Sequence, residues 1–484
     1  MNRQIGHLFA IAAVLFVVLV GATTWWGVFT AEGLDENPKN RRALIRDARI
    51  PRGLIYANDG RTVLARNRPR GSGKNRFFTR IYPSGPLFSH AVGYSFIQNG
   101  QRGLEKSDND DLAGKEDEFQ SILSGIESEK REGFDVVTNL DPDGQKAALQ
   151  DLGGRKGAVV ALEPSTGKVL VMASVPPYDA NEIPDHFPEI NRDPNKPLLN
   201  RPTQELYPPG STFKVVTAAA ALDSGKFTPQ STLDGGSPKT IGGAPLANFG
   251  GQSFGPVSLT DALTNSVNTV WAQVGVQLGP RRMIEYMQRF GFYQDPKLDY
   301  PADFMVPSGV FNARGQLVRR PGFDVGRVAI GQGGREGQIR SSALQMALVA
   351  AAVGNGGKLM RPRLTDRVVR KDGRVKERVE PDLQSQAISR KAAGELSAMM
   401  GRVVEEGTGT AAALGGIKVA GKTGTAEIGA QAERTQPWFI GFAPRDNPKV
   451  AVAVTLENQP GGSTGGETAG PIAKNVIQTL LKAN

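Results

Sequence analysis

The chain has 484 residues, of which 39% are apolar and 22% charged, with a formal net charge of +10. This length exceeds one ordinary core and predicts two or three domains. No cysteine is present, which excludes thiol nucleophiles, disulfides and cysteine-ligated metals, and three histidines (His7, His90, His186) leave little for a Ser-His-Asp triad or a histidine metal cluster.

The first predicted element is an apolar helix. Ile5 to Phe29 carry no formal charge apart from a proton on His7 and are long enough to span the roughly 30 Å hydrocarbon core of a bilayer. Trp25 and Trp26 sit at its far end, where indoles favour the interface. A cleaved signal peptide has a shorter apolar stretch and a small-x-small site, whereas Val20-Gly21-Ala22 runs into two tryptophans, so residues 1–30 read as an uncleaved transmembrane anchor. Arg3 and the amino terminus favour an inside N-terminus, while Arg41 and Arg42 flank the other side.

Residues 31–150 are polar and irregular, with few long apolar runs, and are expected to form a small pedestal domain. Pro51 to Tyr56, the turn Asn58-Asp59-Gly60 and Thr62 to Ala65 predict a strand, a turn and a strand. From Lys39 to Arg80 basic residues crowd together, opposed only by Asp47 and Asp59. Next to an anchor, such a patch suits anionic lipid or wall polymer. Without interleaved aromatics or a nucleic-acid motif it does not indicate nucleic acid.

The remainder, residues 151–484, opens with two apolar runs, Gly157 to Leu162 and Val169 to Ala173, flanking a turn-rich connection. They predict a β-hairpin. Ser211 to Leu222 is hydrophobic nearly all round and predicts a buried helix. Further helices are expected around Leu263 and Trp271 and over Ala343 to Val353. Ile417 to Ile428, Trp438 to Ala443 and Lys449 to Leu456 predict three strands, and Val450, Val452, Val454 and Leu456 alternate as in a strand with one buried face. A final helix is expected to start at Pro471, with apolar repeats at Ile472, Val476, Ile477, Leu480 and Leu481. Strands, many helices, then strands and a helix predict an α+β architecture: an antiparallel sheet closed by C-terminal strands and covered by helices.

Three short segments carry chemistry. In Pro209-Gly210-Ser211-Thr212-Phe213-Lys214, the serine opens the buried helix and the lysine lies three residues on, on the same face. A serine hydroxyl is a poor nucleophile without a base. With histidine scarce, a lysine must serve, and burial, a nearby cation and the helix start all favour its neutral form. The plain structural alternative is a helix cap followed by a snorkelling lysine. Ser165 and Lys168 show the same spacing in a hairpin turn, where the lysine stays solvated. In Asn265-Ser266-Val267-Asn268, Ser266 and Asn268 do not share a helix face, so a common role requires a break between helices. Ser107-Asp108-Asn109 matches the same pattern in an acidic loop.

The third segment is Ala420-Gly421-Lys422-Thr423-Gly424-Thr425, whose glycines thin a strand so that another backbone can approach. Lysine and threonine at such an edge can hold a carboxylate while the backbone pairs with an extended peptide. Strand alternation sends Lys422 and Thr423 to opposite sides, a conflict that twist or an edge position is expected to resolve. Gly416 to Thr423 also fits the phosphate-loop pattern, but that loop needs a strand before it and a helix after it, which the neighbouring sequence does not provide. Gly251 to Gly255 and Gly461 to Gly465 match an esterase elbow, yet both lie in glycine-rich loops.

The three segments occur in one order, 55 residues from Ser211 to Ser266 and 156 from Ser266 to Lys422. Together they resemble the active-site set of penicillin-binding proteins and serine β-lactamases. The likeness covers nearly the whole chain. Arg52-Gly53-Leu54-Ile55-Tyr56-Ala57-Asn58-Asp59-Gly60 and Gly103-Leu104-Glu105 resemble the family's pedestal motifs. Gly157 to Ser174, Gly331-Gln332-Gly333, Leu344 to Ala347 and Trp438 to Pro444 resemble features of its penicillin-binding/β-lactamase-like transpeptidase domain. One anchor and no glycosyltransferase-sized segment resemble a class B enzyme, with length and composition similar to the actinobacterial elongation-type group.

The resemblance implies a peptidoglycan D,D-transpeptidase of the cell membrane, single-pass, with its catalytic domain extracytoplasmic. Ser211 would form the acyl-enzyme, Lys214 take its proton, Ser266 relay a proton to the leaving D-alanine, and Lys422 set the local potential. Asn268 would hold the donor amide. Thr423, Gly424 and Thr425 would form the carboxylate-binding strand, and the backbone N–H groups of Ser211 and Thr425 the oxyanion hole. No metal or cofactor is implied. The implied partners are stem peptides on lipid-linked precursor polymer, β-lactams, the membrane and a polytopic glycosyltransferase of the shape, elongation and division family. Two other classes stay open at this point: a D,D-carboxypeptidase or β-lactamase-type hydrolase, and a non-catalytic penicillin sensor or wall-assembly scaffold.

Overall fold

The computed structural model describes residues 2–29, 42–73, 76–115, 132–334, 337–428 and 433–483. Lys39, Arg41 and Lys74 of the basic run, and Glu32, Asp35 and Glu36 before it, lie outside them.

The apolar N-terminal run is a helix, α1 (Asn2–Thr24), continued by one wider turn over Trp25–Phe29. Its side chains from Ile5 to Val20 are exposed to the surroundings, as expected of a helix that meets no protein core. It is long and apolar enough to cross a membrane.

The expected strand, turn and strand are β1 (Ile55–Tyr56) and β2 (Val63–Arg70), paired antiparallel around Gly60, whose φ of +64° suits glycine. With β3 (Phe77–Ile81) and β4 (Asp135–Thr138) they form most of a six-stranded sheet. Beneath it, Arg52 and Arg80 both bond the carboxylate of Glu105, at 3.1 and 2.6 Å, and all three side chains are buried. Removing one member of such a buried cluster leaves uncompensated charge. Glu105→Ala is therefore expected to lower stability by about 3–5 kcal/mol, measurable as a shift of the urea midpoint at unchanged slope.

Next come α2 (Pro142–Leu152) and the predicted hairpin, β5 (Gly157–Leu162) and β6 (Val169–Val175). The buried helix differs from its expected form. Gly210–Phe213 make a tight 3₁₀ turn, and the α-helix proper, α3, starts at Lys214 and ends at Asp223. The helices around Leu263 and Trp271 are α4 (Leu259–Thr264) and α5 (Asn268–Leu278), and α6 spans Ala343–Gly354.

The chain then returns to the first sheet. Strands β7 (Thr365–Val369) and β8 (Val375–Arg378) extend it beside β4, giving the order β8-β7-β4-β1-β2-β3. These residues sit far along the sequence, and nothing in their local pattern shows which sheet they join.

Helix α7 (Arg390–Glu405) precedes β9 (Ala420–Ile428), β10 (Arg434–Ala443) and β11 (Val450–Leu456). The sheet order β9-β10-β11-β5-β6 is antiparallel throughout and leaves β9 at the edge. Alternation splits its side chains between two cores. Val159, Val171, Val452 and Val454 pack with Ile472 and Val476 of the last helix, whereas Val160, Met172, Ile440 and Ala453 pack with Leu348 and the other residues of α6. The last helix, α8, runs Gly465–Ala483 and so starts six residues before the expected Pro471, which lies inside it. The overlooked signal is a threonine at the helix start three residues before a glutamate: Thr464 Oγ1 accepts from Glu467 N at 3.3 Å and donates to the Glu467 carboxylate at 2.9 Å. Helix α2 packs on α8 so closely that a Cβ on Gly144 would stand 2.5 Å from Leu480.

Candidate active site

Ser211 sits in the 3₁₀ turn that leads into α3, and this turn is pinned from two sides. Gly210 N donates to Gly331 O at 3.0 Å. Gly331 has φ +78°, and a Cβ there would fall 1.7 Å from Gly210 O. On the other side, a Cβ on Gly424 would meet Pro209 O at 2.8 Å and Thr212 N at 3.0 Å. The expectation that the glycines of this strand admit another backbone holds at Gly424, where the backbone admitted is that of the Ser211 turn, whereas a Cβ on Gly421 would meet the ring of Phe439 at 2.4 Å. Gly331→Ala is expected to destabilise by about 3 kcal/mol and, if the role that the resemblance implies for Ser211 holds, to slow penicillin labelling at least tenfold. Thermal unfolding and the rate of fluorescent penicillin labelling would check both.

Lys214, fully buried, reaches four oxygens. Its Nζ lies 3.0 Å from Ser211 Oγ, 2.7 Å from Ser266 O, 3.1 Å from Ser266 Oγ and 2.7 Å from Asn268 Oδ1. The Ser266 carbonyl and the Asn268 carboxamide oxygen can only accept. They occupy both hydrogens of a neutral amine and leave its lone pair for the Ser211 hydroxyl. Burial pushes the Lys214 amine well below the ordinary lysine range, and the charge of Lys422 acts the same way.

Ser266 and Asn268 lie at the break between α4 and α5 that their spacing requires. Ser266 itself holds φ +59°, an uncommon conformation for a non-glycine residue and one found often at functional sites. Lys422, on β9, approaches from the opposite side, with its Nζ 3.0 Å from Ser266 Oγ and 2.9 Å from Thr423 O. It is fully buried, and burial lowers its pKa to about 7. The Ser266 hydroxyl therefore stands between two amines.

Alternation holds along β9. While Lys422 meets Ser266, Thr423 Oγ1 shares a 2.6 Å hydrogen bond with Thr408, whose own N–H donates to Thr264 O. Thr425 Oγ1 accepts from Gly465 N at 3.1 Å. A Cβ on Gly210 would lie 3.0 Å from both the carbonyl carbon and oxygen of Thr425, so the backbones of Ser211 and Thr425 are adjacent.

The structure thus brings Ser211, Lys214, Ser266, Asn268 and Lys422 into one hydrogen-bonded cluster and sets Thr423, Gly424 and Thr425 beside it. It disperses the look-alike motifs. Lys168 pairs with Asp366 at 3.2 Å and is one-third exposed, as expected of a hairpin lysine. Asp108 accepts from Thr365 and not from any residue of the cluster. The phosphate-loop match has its lysine and threonine inside strand β9 and no helix after them. Sequence reasoning missed Ala247, whose carbonyl accepts from Asn268 Nδ2 at 3.1 Å and orients the carboxamide, and Thr408. A backbone carbonyl leaves no trace in residue spacing.

A serine paired with a buried lysine, set between a helical layer and the edge of an antiparallel sheet, defines a serine acyl-transfer enzyme. Residues 157–478 match the penicillin-binding protein transpeptidase domain, and residues 52–136 match the penicillin-binding protein A dimerisation domain. The chain belongs to the penicillin-binding protein transpeptidase family. It is 34% identical to the peptidoglycan D,D-transpeptidase PbpA of Mycolicibacterium smegmatis, over 100% of this chain and 99% of that protein. Among solved structures, the D,D-transpeptidase domain of a peptidoglycan glycosyltransferase from Eggerthella lenta is 34% identical with a TM-score of 0.77, covering 90% of this chain and 99% of that one. Penicillin-binding protein A from M. tuberculosis, as a ceftriaxone acyl-enzyme complex, is 31% identical with a TM-score of 0.80, covering 90% and 100%.

Proposed function

We propose that this chain is a class B peptidoglycan D,D-transpeptidase that cross-links stem peptides through an acyl-enzyme on Ser211 and binds penicillin covalently at the same atom. The observation that carries this reading is the Lys214 amine 3.0 Å from Ser211 Oγ, with its hydrogens directed to Ser266 O and Asn268 Oδ1.

Ser211 attacks the carbonyl between the two terminal D-alanines, and its proton passes to Lys214. The backbone amides of Ser211 and Thr425 receive the developing oxyanion, each such donor being worth about 3 kcal/mol. Ser266 carries a proton from the Lys214 side to the departing D-alanine amine, which leaves as the acyl-enzyme forms. The Lys422 cation holds that hydroxyl in place. Asn268 uses its second Nδ2 hydrogen for the donor peptide, and Thr423, Gly424 and Thr425 present the edge of β9 to its extended chain and carboxylate. An amine of a second stem peptide then attacks the acyl carbonyl and frees Ser211.

The apolar α1 supports single-pass anchoring, and Arg3 with the amino terminus favours an inside N-terminus, which puts the catalytic domain outside the cell. In this reading residues 1–30 anchor, 31–150 form the pedestal and 151–484 perform transpeptidation. The substrate is a lipid-linked precursor polymer used in elongation or division. The anchor and pedestal engage a polytopic glycosyltransferase of the shape, elongation and division family, testable by co-purification with and without residues 1–150. For the activity, the full-length chain is treated with penicillin and digested, and the adduct is located by mass spectrometry. The adduct is expected on Ser211 and absent from Ser211→Ala. Labelling that persists in that variant would refute the assignment.

A further inference from the structure

A second cavity stands apart from the catalytic cleft. It lies beside the edge strand β3, with a volume of about 580 Å³. Its walls come from three parts of the chain: the short helix Arg42–Asp47 that follows the anchor, strands β2 and β3 with the 95–98 turn, and residues 181–185. Main-chain and side-chain bonds tie these walls together. Phe78 N donates to Ala48 O at 2.7 Å, and Asn181 exchanges two hydrogen bonds with the backbone of Tyr82.

Four arginines line this cavity, Arg52, Arg68, Arg70 and Arg80, against two aspartates, Asp47 and Asp185. The imbalance extends beneath the surface. Arg52 and Arg80 share the single carboxylate of Glu105, so that buried cluster keeps one positive charge in excess. Arg80 is 4% exposed, and among the described residues its Nη2, itself shut off from solvent, has no hydrogen-bond partner. Buried guanidinium donors are ordinarily satisfied. Nearer the mouth, Arg68 and Arg70 are exposed and stand directly across the strand pair from Thr79 and Phe77. Phe77, Phe78 and Phe96 add apolar wall to the same space.

We propose that this cavity is a binding site for a phosphate group carried on a partly apolar ligand. Guanidinium groups match phosphate oxygens with paired N–H donors, and the aromatic walls take the attached hydrocarbon. The basic run that sequence analysis could associate only with anionic lipid or wall polymer thus has a built pocket at its C-terminal end. Leu44, on the cavity wall, follows the end of the anchor at Phe29 by fifteen residues. A chain of that length spans at most about 50 Å, which keeps the pocket within reach of a bilayer surface. A ligand that fills this cavity would bridge the juxtamembrane helix, the first sheet and the 181–185 segment.

The test uses the full-length chain. In detergent, the ³¹P resonance of glycerol 3-phosphate is expected to broaden with wild type, to stay sharp with Arg68→Ala/Arg70→Ala, and to broaden normally with Arg61→Ala/Arg66→Ala, which removes the same charge from β2 and the turn before it. In nanodiscs, hydrogen exchange over residues 77–81 and 95–98 is compared between phosphatidylglycerol and phosphatidylcholine. Slower exchange in phosphatidylglycerol alone assigns the phosphate to a lipid head group. Broadening without any lipid dependence assigns it to a soluble phosphate ester. Penicillin labelling of Ser211 at the wild-type rate establishes that each variant is folded. Equal broadening by all three proteins, or none with wild type in either arm, would overturn the proposal.

Discussion

Lys214→Met is expected to slow penicillin acylation of Ser211 by about 10³–10⁴-fold while leaving the fold in place. General-base assistance is typically worth about 10²–10⁴ in rate, and no second base stands ready. Among the described residues Ser211 Oγ has one side-chain partner, the Lys214 amine. Lys422 reaches Ser266 but not Ser211. Methionine fills nearly the same volume without charge, so packing around Lys214, in a helix buried from Lys214 to Leu222, is kept. Two stability effects oppose each other. The variant leaves Ser266 O and Asn268 Oδ1 without their donor, at about 1–3 kcal/mol each, but it also removes an amine that burial disfavours in its charged form. The thermal midpoint should therefore move little compared with the rate. Stopped-flow fluorescence with a labelled penicillin and a melting curve separate the two. Acylation within tenfold of wild type, in a folded protein, would remove Lys214 from the role of base.

The chemistry was legible because three short segments each carry a local physical constraint. Ser211 and Lys214 fall on one helical face, Ser266 and Asn268 demand a helix break, and Gly421 and Gly424 demand a close neighbour. What spacing could not supply is the identity of that neighbour. Gly424 faces Pro209 and Thr212 because β9 is the edge strand of a sheet whose order, β9-β10-β11-β5-β6, depends on pairings across hundreds of residues. The same limit applies to β7 and β8. They complete the first sheet from positions 365–378, where their alternation is ordinary and their partner β4 lies more than 200 residues earlier. The late start predicted for α8 has a different cause. Proline at a helix start is a strong cue, and it outweighed the quieter Thr464 and Glu467 pair, although Pro471 in fact lies inside the helix, where it gives up one backbone bond.

The pH dependence of acylation is expected to be bell-shaped, with its alkaline limb set by Lys422 near pH 7. Ser266 Oγ lies 3.1 Å from one buried amine and 3.0 Å from the other, so the two lysines titrate as a pair. With both protonated, Lys214 cannot accept the Ser211 proton, and the rate should fall about tenfold per pH unit on the acid side. With both neutral, the cation that holds Ser266 and draws the substrate carboxylate is gone. The active form carries one proton, on Lys422, whose pKa is lowered to about 7. Stability should move the other way on the alkaline side. A lysine whose folded pKa lies below its unfolded value of 10.5 binds fewer protons folded than unfolded between the two. Its burial penalty is fully present below about pH 7 and is relieved as pH rises toward 10.5, by about 1.4 kcal/mol per pH unit. Other buried groups titrate in the same range, notably Asp108, raised to about 8 by burial. The informative quantity is therefore the difference between wild type and Lys422→Met. That difference in unfolding free energy should shift in favour of wild type from pH 7.5 to 9, while wild-type acylation declines over the same interval. A difference flat with pH would mean that Lys422 is not a depressed lysine in the folded chain, and the alkaline limb would then need another group.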